Sequence, residues 1–441
     1  MEQERRSSGW ISGVLVVATL LVGFLIGKDW AAPGHASETY EELQVLTEVL
    51  HQVEKHYVEE TNAKDLVHGA VRGMLATLDP HSSYMTPDMY REMQVETKGE
   101  FGGLGIQIGI KNNHLTVIAP IEDTPAFKAG IESGDIITKV DEKYTKDLTL
   151  MEAVQHMRGP KGTDVSLTVV RKGVEEPLTF TITRDTIKIQ SVRRKILNKR
   201  IGYVRISQFQ EATPDDLETH LAALQEENIQ SLILDLRNNP GGLLTAAVGV
   251  SERFLESDKL VVSIKSRSGR KDEYRARLGR PPYEYPMIVL VNQGSASASE
   301  IVAAAMQDWG KAVIIGTTTF GKGSVQTILP LSDGSGLRLT TAKYYTPRGE
   351  SIHSIGVKPD IVVEVKPTPR SSSVQGRAGK KSPSSDSSEK ATQGKTSKGN
   401  KLDEDKTEEE REAELIKNDV QLQKAIELLT SWKVFKKLRP L

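Results

Sequence analysis

The sequence contains no cysteine. Disulfide frameworks, thiolate nucleophiles and cysteine-ligated zinc are therefore excluded, and Ser, Thr, Lys and carboxylates remain for covalent chemistry. Net charge is nearly absent as well: 58 basic and 59 acidic residues leave a formal charge of -1 over 441 residues. Such a balance creates no field that would recruit nucleic acid, so none is expected as a partner. His-Glu-x-x-His and comparable ligand spacings are missing, and no metal or cofactor is expected. The glycine-rich stretch at residues 99–110 lacks the Gly-Lys-Ser/Thr of a phosphate loop, and no strand-to-helix step follows it as a dinucleotide fingerprint requires.

One long apolar run is present. Arg5 and Arg6 precede an uncharged stretch from Trp10 to Gly27, which Lys28 and Asp29 close. That order of basic flank, hydrophobic segment and polar chain directs a chain out of the cytoplasm. At about 18 residues the run meets the lower limit for a spanning helix and is long for a cleaved signal. Gly34-His35-Ala36 is a mediocre cleavage site, so residues 1–36 are expected to form an uncleaved anchor in a bacterial cytoplasmic membrane, with the remainder extracytoplasmic. Residues 37–98 read as helical. Leu43, Leu46, Val49, Leu50 and Val53 recur at three-and-four spacing, a second helix runs from Ala63 to Leu78, and "LDPHSSYMTP" ends it. His81 in that turn is read as a turn residue rather than a base.

From residue 99 the texture changes to a glycine-rich turn, "GEFGGLGIQIGI", followed by alternating strand. Residues 114–171 then supply strand, short helix around Pro125, turn, strand, helix around Leu150 to Met157 and strand. This order resembles a PDZ domain of the kind attached to secreted proteases, here bounded at 99–186. Gly103, Leu104, Gly105 and Ile106 stand where such domains keep their carboxylate-binding loop. Backbone amides around glycines form a nest for a chain-terminal carboxylate, and the following strand can accept a peptide as an added strand.

"IGYVRISQF" and "QSLILDLRNNPGG" flank the helical "PDDLETHLAALQEENI", a β-α-β unit of an α/β layer. The second strand runs straight into Arg237, Asn238, Asn239, Pro240, Gly241 and Gly242, and ligands of α/β sheets gather beyond such strand ends. "PMIVLVNQG" delivers another buried strand to "NQGSASASEIVAAAMQDWG", and "VIIGTTTFGKGSVQTILPL" at 313–331 reads as the next.

Ser297-Ala298-Ser299-Glu300 has the form of a capping box, in which the hydroxyl accepts from the amide three residues on. Taken alone it is a helix start and needs no catalysis. Beside it, however, Lys322 stands between two glycines, and in an extended segment Lys322, Ser324 and Gln326 share a face. A lysine amine takes a serine proton only when neutral, which requires a pKa lowered in a dry cleft. Ala296, Ala298, Gly321 and Gly323 permit that close approach. A helix beginning at Ser297 also aims its free amides at an oxyanion. His220 and His353 have no acidic partner that the sequence identifies, so a histidine triad is not expected.

"LDPHSSYM", "GEFGGLGIQIG", "LILDLRNNPGGLL", "NQGSASASEIVAAAM" and "TFGKGSVQ", in order over about residues 43 to 364, resemble the carboxyl-terminal processing, or tail-specific, serine proteases. The resemblance implies a multidomain α/β fold: a ClpP/crotonase-like protease core at 187–366 with an inserted PDZ domain and flanking N- and C-terminal helices. It implies Ser297 as nucleophile, Lys322 as general base 25 residues later, and Gln326 as the partner that orients the lysine. The amide of Ala298, with that of Gly241 or Gly242, takes the place of the oxyanion hole. The implied enzyme needs no cofactor. It captures the exposed carboxyl-terminal tail of a protein on its PDZ domain and cuts within that tail. Two alternatives are an inactive scaffold that binds tails without cutting and a crotonase-like acyl-CoA enzyme, which would need neither the PDZ insertion nor the lysine.

Residues 367–406 collapse to Ser, Lys, Gly, Asp and Thr, a composition that buries too little apolar surface to fold, and are expected to be disordered. Residues 407–441 read as a helix with Leu415, Val420, Leu422, Ala425, Ile426 and Leu429 as apolar positions. Family members carry such a helix packed with amino-terminal helices, sometimes across a dimer, so a homodimer through the terminal helices is expected.

Overall fold

The computed structural model describes residues 34–277, 279, 281–365 and 416–438. The run at 10–27 and the segment at 367–406 lie outside the described residues. Among the described residues no helix is long and apolar enough to cross a membrane. The chain divides into two compact units after Tyr84.

The first unit holds α1 (Gly34–His56) and α2 (Ala63–Ala76), and β1 (Ser83–Met85) spans the boundary. Asn62 starts α2 by accepting the Lys64 amide on Oδ1 at 2.9 Å. The apolar positions Leu43, Leu46 and Val49 of α1 remain exposed.

The second unit opens with α3 (Pro87–Lys98). The stretch at 78–87 ends α2 as expected, and its last proline begins α3, with Thr86 Oγ1 accepting the Met89 amide, because a proline in the first turn gives up an amide that has no partner in any case. The PDZ region follows as β2 (Glu100–Gly103), β3 (Ile106–Lys111), β4 (His114–Pro120), α4 (Pro125–Lys128), β5 (Ile136–Val140), β6 (Lys143–Tyr144), α5 (Leu150–Met157), β7 (Asp164–Val170), β8 (Leu178–Thr183) and β9 (Asp185–Lys188). Its antiparallel sheet has the order β3-β4-β5-β7-β8 and its own core, including Val117, Ile137, Leu167 and Val169. Strands β2 and β9 pair antiparallel at the entry and exit of the chain, which makes the domain an insertion.

The core comprises β10 (Val192–Leu197), β11 (Ile201–Ile206), α6 (Thr213–Glu226), β12 (Ser231–Asp235), α7 (Leu244–Glu252), β13 (Leu260–Ser266), β14 (Lys271–Arg275), β15 (Met287–Val291), α8 (Ala298–Asp308), β16 (Val313–Gly316), β17 (Ser324–Pro330), β18 (Gly336–Tyr345), β19 (Ile361–Val362) and α9 (Val420–Leu438). Its main sheet has the order β10-β11-β12-β15-β16-β19 and is parallel from β11 onward. Spatial order follows chain order, so right-handed crossovers place α6, α7 and α8 on one face. Leu232, Leu234, Met287 and Val289 point to that face, while Ile233, Ile288 and Leu290 alternate to the other.

That second face is closed by α9. Leu422, Ala425, Ile426 and Leu429 are buried against Ile233, Ile288, Leu290 and Ile315, each large side chain contributing about 1.5–3 kcal/mol. These apolar positions of the expected carboxyl-terminal helix are covered by the sheet of their own core.

The single strand expected at 313–331 is two strands in different sheets. Gly316, at φ +137°, ends β16 where any side chain would strike the Val291 carbonyl. Residues 317–323 then carry the chain to the antiparallel β17-β18-β13-β14 ribbon.

Candidate active site

The site lies beyond the carboxyl ends of β12, β15 and β16. After β12, buried Asn239 shapes the loop: Nδ2 donates to the Ile206 carbonyl at 2.8 Å and Oδ1 accepts the Gly241 amide at 2.9 Å. Its carbonyl accepts the Ala296 amide at 3.0 Å and the Ser299 hydroxyl at 2.9 Å. Gly241 has φ +102°, and a Cβ there would stand 2.8 Å from Ser297 Cβ and 2.7 Å from the Ala296 carbonyl. Only glycine lets this loop come so near the serine.

The three serines divide their work. Ser295 accepts the Asn292 amide at 3.0 Å and donates to the Leu236 carbonyl at 2.8 Å, and Ser299 is committed to Asn239. Ser297 differs, with φ +55° and ψ -112°, a conformation that non-glycine residues rarely adopt. The expected capping box joins Ser297 and Glu300. Glu300 Oε2 accepts the Ser297 amide at 2.8 Å, and the Glu300 amide donates to the Ser297 carbonyl at 2.9 Å. Ser297 Oγ also lies 3.4 Å from Tyr344 Oη. Helix α8 begins with Ala298, whose amide donates to no group among the described residues. The same holds for Gly242, whereas the Gly241 amide is already used by Asn239.

Lys322 lies in the connecting loop, two residues before β17. Its Nζ donates to Gln326 Oε1 at 2.9 Å, so this expected pair does meet. Ser324 does not join them; it is buried, its hydroxyl has no hydrogen-bond partner among the described residues, and the β17–β18 register shifts between Val325 and Gln326. Burial first, and then the Arg338 guanidinium, hold the Lys322 amine below the ordinary lysine range, against the opposing pull of Glu300. Among the described residues no hydrogen bond joins Lys322 Nζ to Ser297 Oγ, nor does His220 or His353 bond to Ser297.

The two loops are tied by Glu300, a fully buried carboxylate. Oε2 accepts the amides of Ser297 and Lys322 at 2.8 Å each, while Oε1 accepts the Gly321 amide at 2.7 Å and the Thr319 hydroxyl. From the sequence Glu300 belongs to the helix cap alone. Its reach to residues 319–322 has no local signal. Tyr344 carries no signal either: it sits on β18, its amide donating to the Gly323 carbonyl at 2.8 Å, and burial raises its hydroxyl above the ordinary tyrosine range.

In the PDZ region, Gly103 ends β2 opposite Asp185 and Ile106 begins β3 opposite Pro120. Between them, the Leu104 and Gly105 carbonyls accept the Ala126 and Ile121 amides at 2.9 and 2.8 Å, while the Leu104 and Gly105 amides donate to no described group. Arg158 stacks on Phe101 beside this loop and pairs with Glu92 of α3.

The peptidase family S41 profile matches residues 200–363, a PDZ domain profile matches 102–182, and the N-terminal domain of the activating protease CtpB matches 29–89. The carboxy-terminal-processing protease of Bartonella bacilliformis is 46% identical over 363 residues, covering 80% of this chain and 82% of that one. This chain belongs to the carboxy-terminal-processing protease family. The protease is also 41% identical over 318 residues to the carboxyl-terminal-processing protease of Synechocystis sp., covering 70% of this chain and 74% of the other. With the carboxy-terminal processing protease CtpA of Bacillus subtilis it shares 36% identity over 352 residues, 79% of this chain and 75% of that one. It is a serine-type peptidase, an α/β core of family S41 with a PDZ domain.

Proposed function

We propose that this protease cleaves with Ser297 as nucleophile and Lys322 as general base, on proteins captured by their carboxyl-terminal tails. The observation that carries the reading is the Ser297 hydroxyl. It is the one serine of the cluster whose hydroxyl donates to no backbone carbonyl among the described residues, it stands at the start of α8, and Glu300 binds its amide and that of Lys322 to the same oxygen. Burial and the Arg338 charge lower the Lys322 pKa and so raise the share of neutral amine that can act as base.

In the proposed reaction the Lys322 amine takes the Ser297 proton as Oγ attacks the peptide carbonyl. The Ala298 and Gly242 amides, which donate to no group among the described residues, receive the oxyanion. The lysine ammonium then gives its proton to the leaving amine, and a water deprotonated by the restored amine releases the acyl group. Gln326 holds the amine by its carboxamide oxygen. Gly241 acts through space, its missing side chain leaving room for Ser297.

The loop from Gly103 to Ile106 would take the substrate carboxylate, principally on the Leu104 and Gly105 amides, with β3 offering a pairing edge. The basic flank and apolar run at 5–27 support an extracytoplasmic, membrane-anchored enzyme. Exposed Leu43, Leu46 and Val49 support pairing of α1 with a second copy.

Incubation with an unstructured protein is the test. Cleavage by the wild type, none by Ser297→Ala, and retention of the uncut tail on that variant are expected. Turnover by Ser297→Ala would remove the nucleophile assignment.

A further inference from the structure

Resting on the reading of Ser297 as the reacting residue, we infer that helix α9 belongs to the catalytic apparatus, with Asp419 a positioning residue that holds the Arg237–Gly242 loop through Arg237. Arg237 is the second residue after β12. Its guanidinium donates to Asp235 from Nη2 at 2.7 Å and from Nε at 3.0 Å. It also forks onto Asp419, from Nη1 to Oδ1 at 2.8 Å and from Nη2 to Oδ2 at 2.7 Å. Gln421 Oε1 accepts a further bond from Nη1 at 3.1 Å, and its Nε2 donates to the Val363 carbonyl at 2.8 Å. Asp419 is at the same time the start of α9, accepting the Leu422 amide on Oδ1 at 3.0 Å. One carboxylate therefore caps the helix and grips the loop.

The charges balance only with Asp419 present. Asp235 is fully buried, takes the Tyr203 hydroxyl at 2.7 Å and has Arg205 at 3.6 Å as well as Arg237. Two cations thus face two carboxylates, and removing Asp419 leaves a surplus positive charge in a site where Arg237 is only 11% exposed. Burial opposes the Arg237 charge, but the bonds to Asp235 and Asp419 more than offset it and hold the guanidinium above the ordinary arginine range. Burial likewise opposes the Asp419 charge, yet Arg237 and the Leu422 amide hold its carboxyl below the ordinary range, so the clamp stays charged throughout neutral and alkaline pH.

What Arg237 holds leads directly to the reacting groups. Asn238 donates from its amide to Asn292 Oδ1 at 2.9 Å and accepts from Asn292 Nδ2 at 2.9 Å. Asn292 in turn accepts the Gly294 amide at 3.0 Å, in the turn before Ser297. Asn239 binds Ala296, Ser299 and Gly241 as described above. Arg237 is thus the root of a loop that carries Gly241 and Gly242 and contacts the serine turn, and it is anchored to a residue 182 positions away in sequence. Such a contact can loosen without disturbing strand order.

The test compares wild type, Asp419→Asn, Asp419→Glu and Leu422→Ala in the full chain. One unstructured peptide substrate gives kcat and KM, thermal melting gives the folded fraction, and Ser297→Ala serves as control. Asp419→Asn should lower kcat by about 10- to 100-fold, as expected when a reacting geometry is displaced from a distance, with KM nearly unchanged. Asp419→Glu should recover part of that loss. Leu422→Ala, which weakens the docking of α9 while keeping every charge, should also lower kcat. The midpoint of the pH profile should not move, because the groups around Lys322 are untouched. Wild-type kcat in Asp419→Asn, a change confined to KM, or a loss that only matches the unfolded fraction would overturn the inference. If Ser297→Ala were active, the reading of the site itself would fail; if it is inactive while Asp419→Asn keeps its kcat, only the role of α9 falls.

Discussion

The Lys322 amine donates to the Gln326 carboxamide oxygen across 2.9 Å, four residues along the chain, just where the antiparallel β17–β18 ribbon begins. The amine therefore rests on a neutral acceptor rather than on a carboxylate. A carboxylate at that distance would favour the ammonium; a carboxamide leaves the lowered pKa set by burial and Arg338 in place.

Activity should accordingly rise with pH. The neutral amine is the active form and its pKa is depressed, so kcat/KM climbs as pH rises through that depressed value and levels off below the range of an ordinary lysine. Arg338→Met removes a charge that lowers the pKa, so its profile should move to higher pH and recover at alkaline pH. A profile unchanged by Arg338→Met, or one that diethyl pyrocarbonate abolishes as for a histidine base, would contradict the mechanism.

Glu300→Ala should cost both stability and turnover. It strands the amides of Ser297, Gly321 and Lys322 and the Thr319 hydroxyl, and a buried donor left unsatisfied costs about 1–3 kcal/mol. Denaturant unfolding measures the first effect and kcat of the folded fraction the second. A variant as stable and active as wild type would show that the two loops hold themselves.

Gly241→Ala should be inactive even where it folds. Its φ of +102° and the 2.8 Å approach of a Cβ to Ser297 Cβ force either the loop or the serine to move. Comparing its labelling by a serine-directed fluorophosphonate with that of wild type checks this. Undiminished labelling would mean that the loop can retreat without disturbing Ser297.

Amidating the carboxyl terminus of an unstructured substrate should weaken its capture, because the Leu104 and Gly105 amides are read as the carboxylate nest. Cleavage rates of the amide and the free acid are compared below saturation. Equal rates would remove the carboxylate from recognition.

What was legible in the sequence is local. Alternation in "LILDL" places Leu232 and Leu234 on one face and Ile233 on the other, since period-two patterning depends only on neighbours. The contact of Lys322 with Gln326, the helix start at Ser297 and the PDZ order of strands and helices all span a few residues or one small domain. The family follows from motifs that are themselves short.

The tertiary structure decided how these pieces meet. Two sheets break the run at 313–331 where the backbone of β15 crowds Gly316, a collision that no property of the run itself announces. Tyr344 reaches Ser297 across 47 residues, Glu300 reaches Lys322 across 22, and Asp419 reaches Arg237 across 182. Composition and periodicity state which side chains seek burial or a partner. Which distant partner each one finds depends on strand order and on the close approach of backbones, and these exist only once the chain has packed.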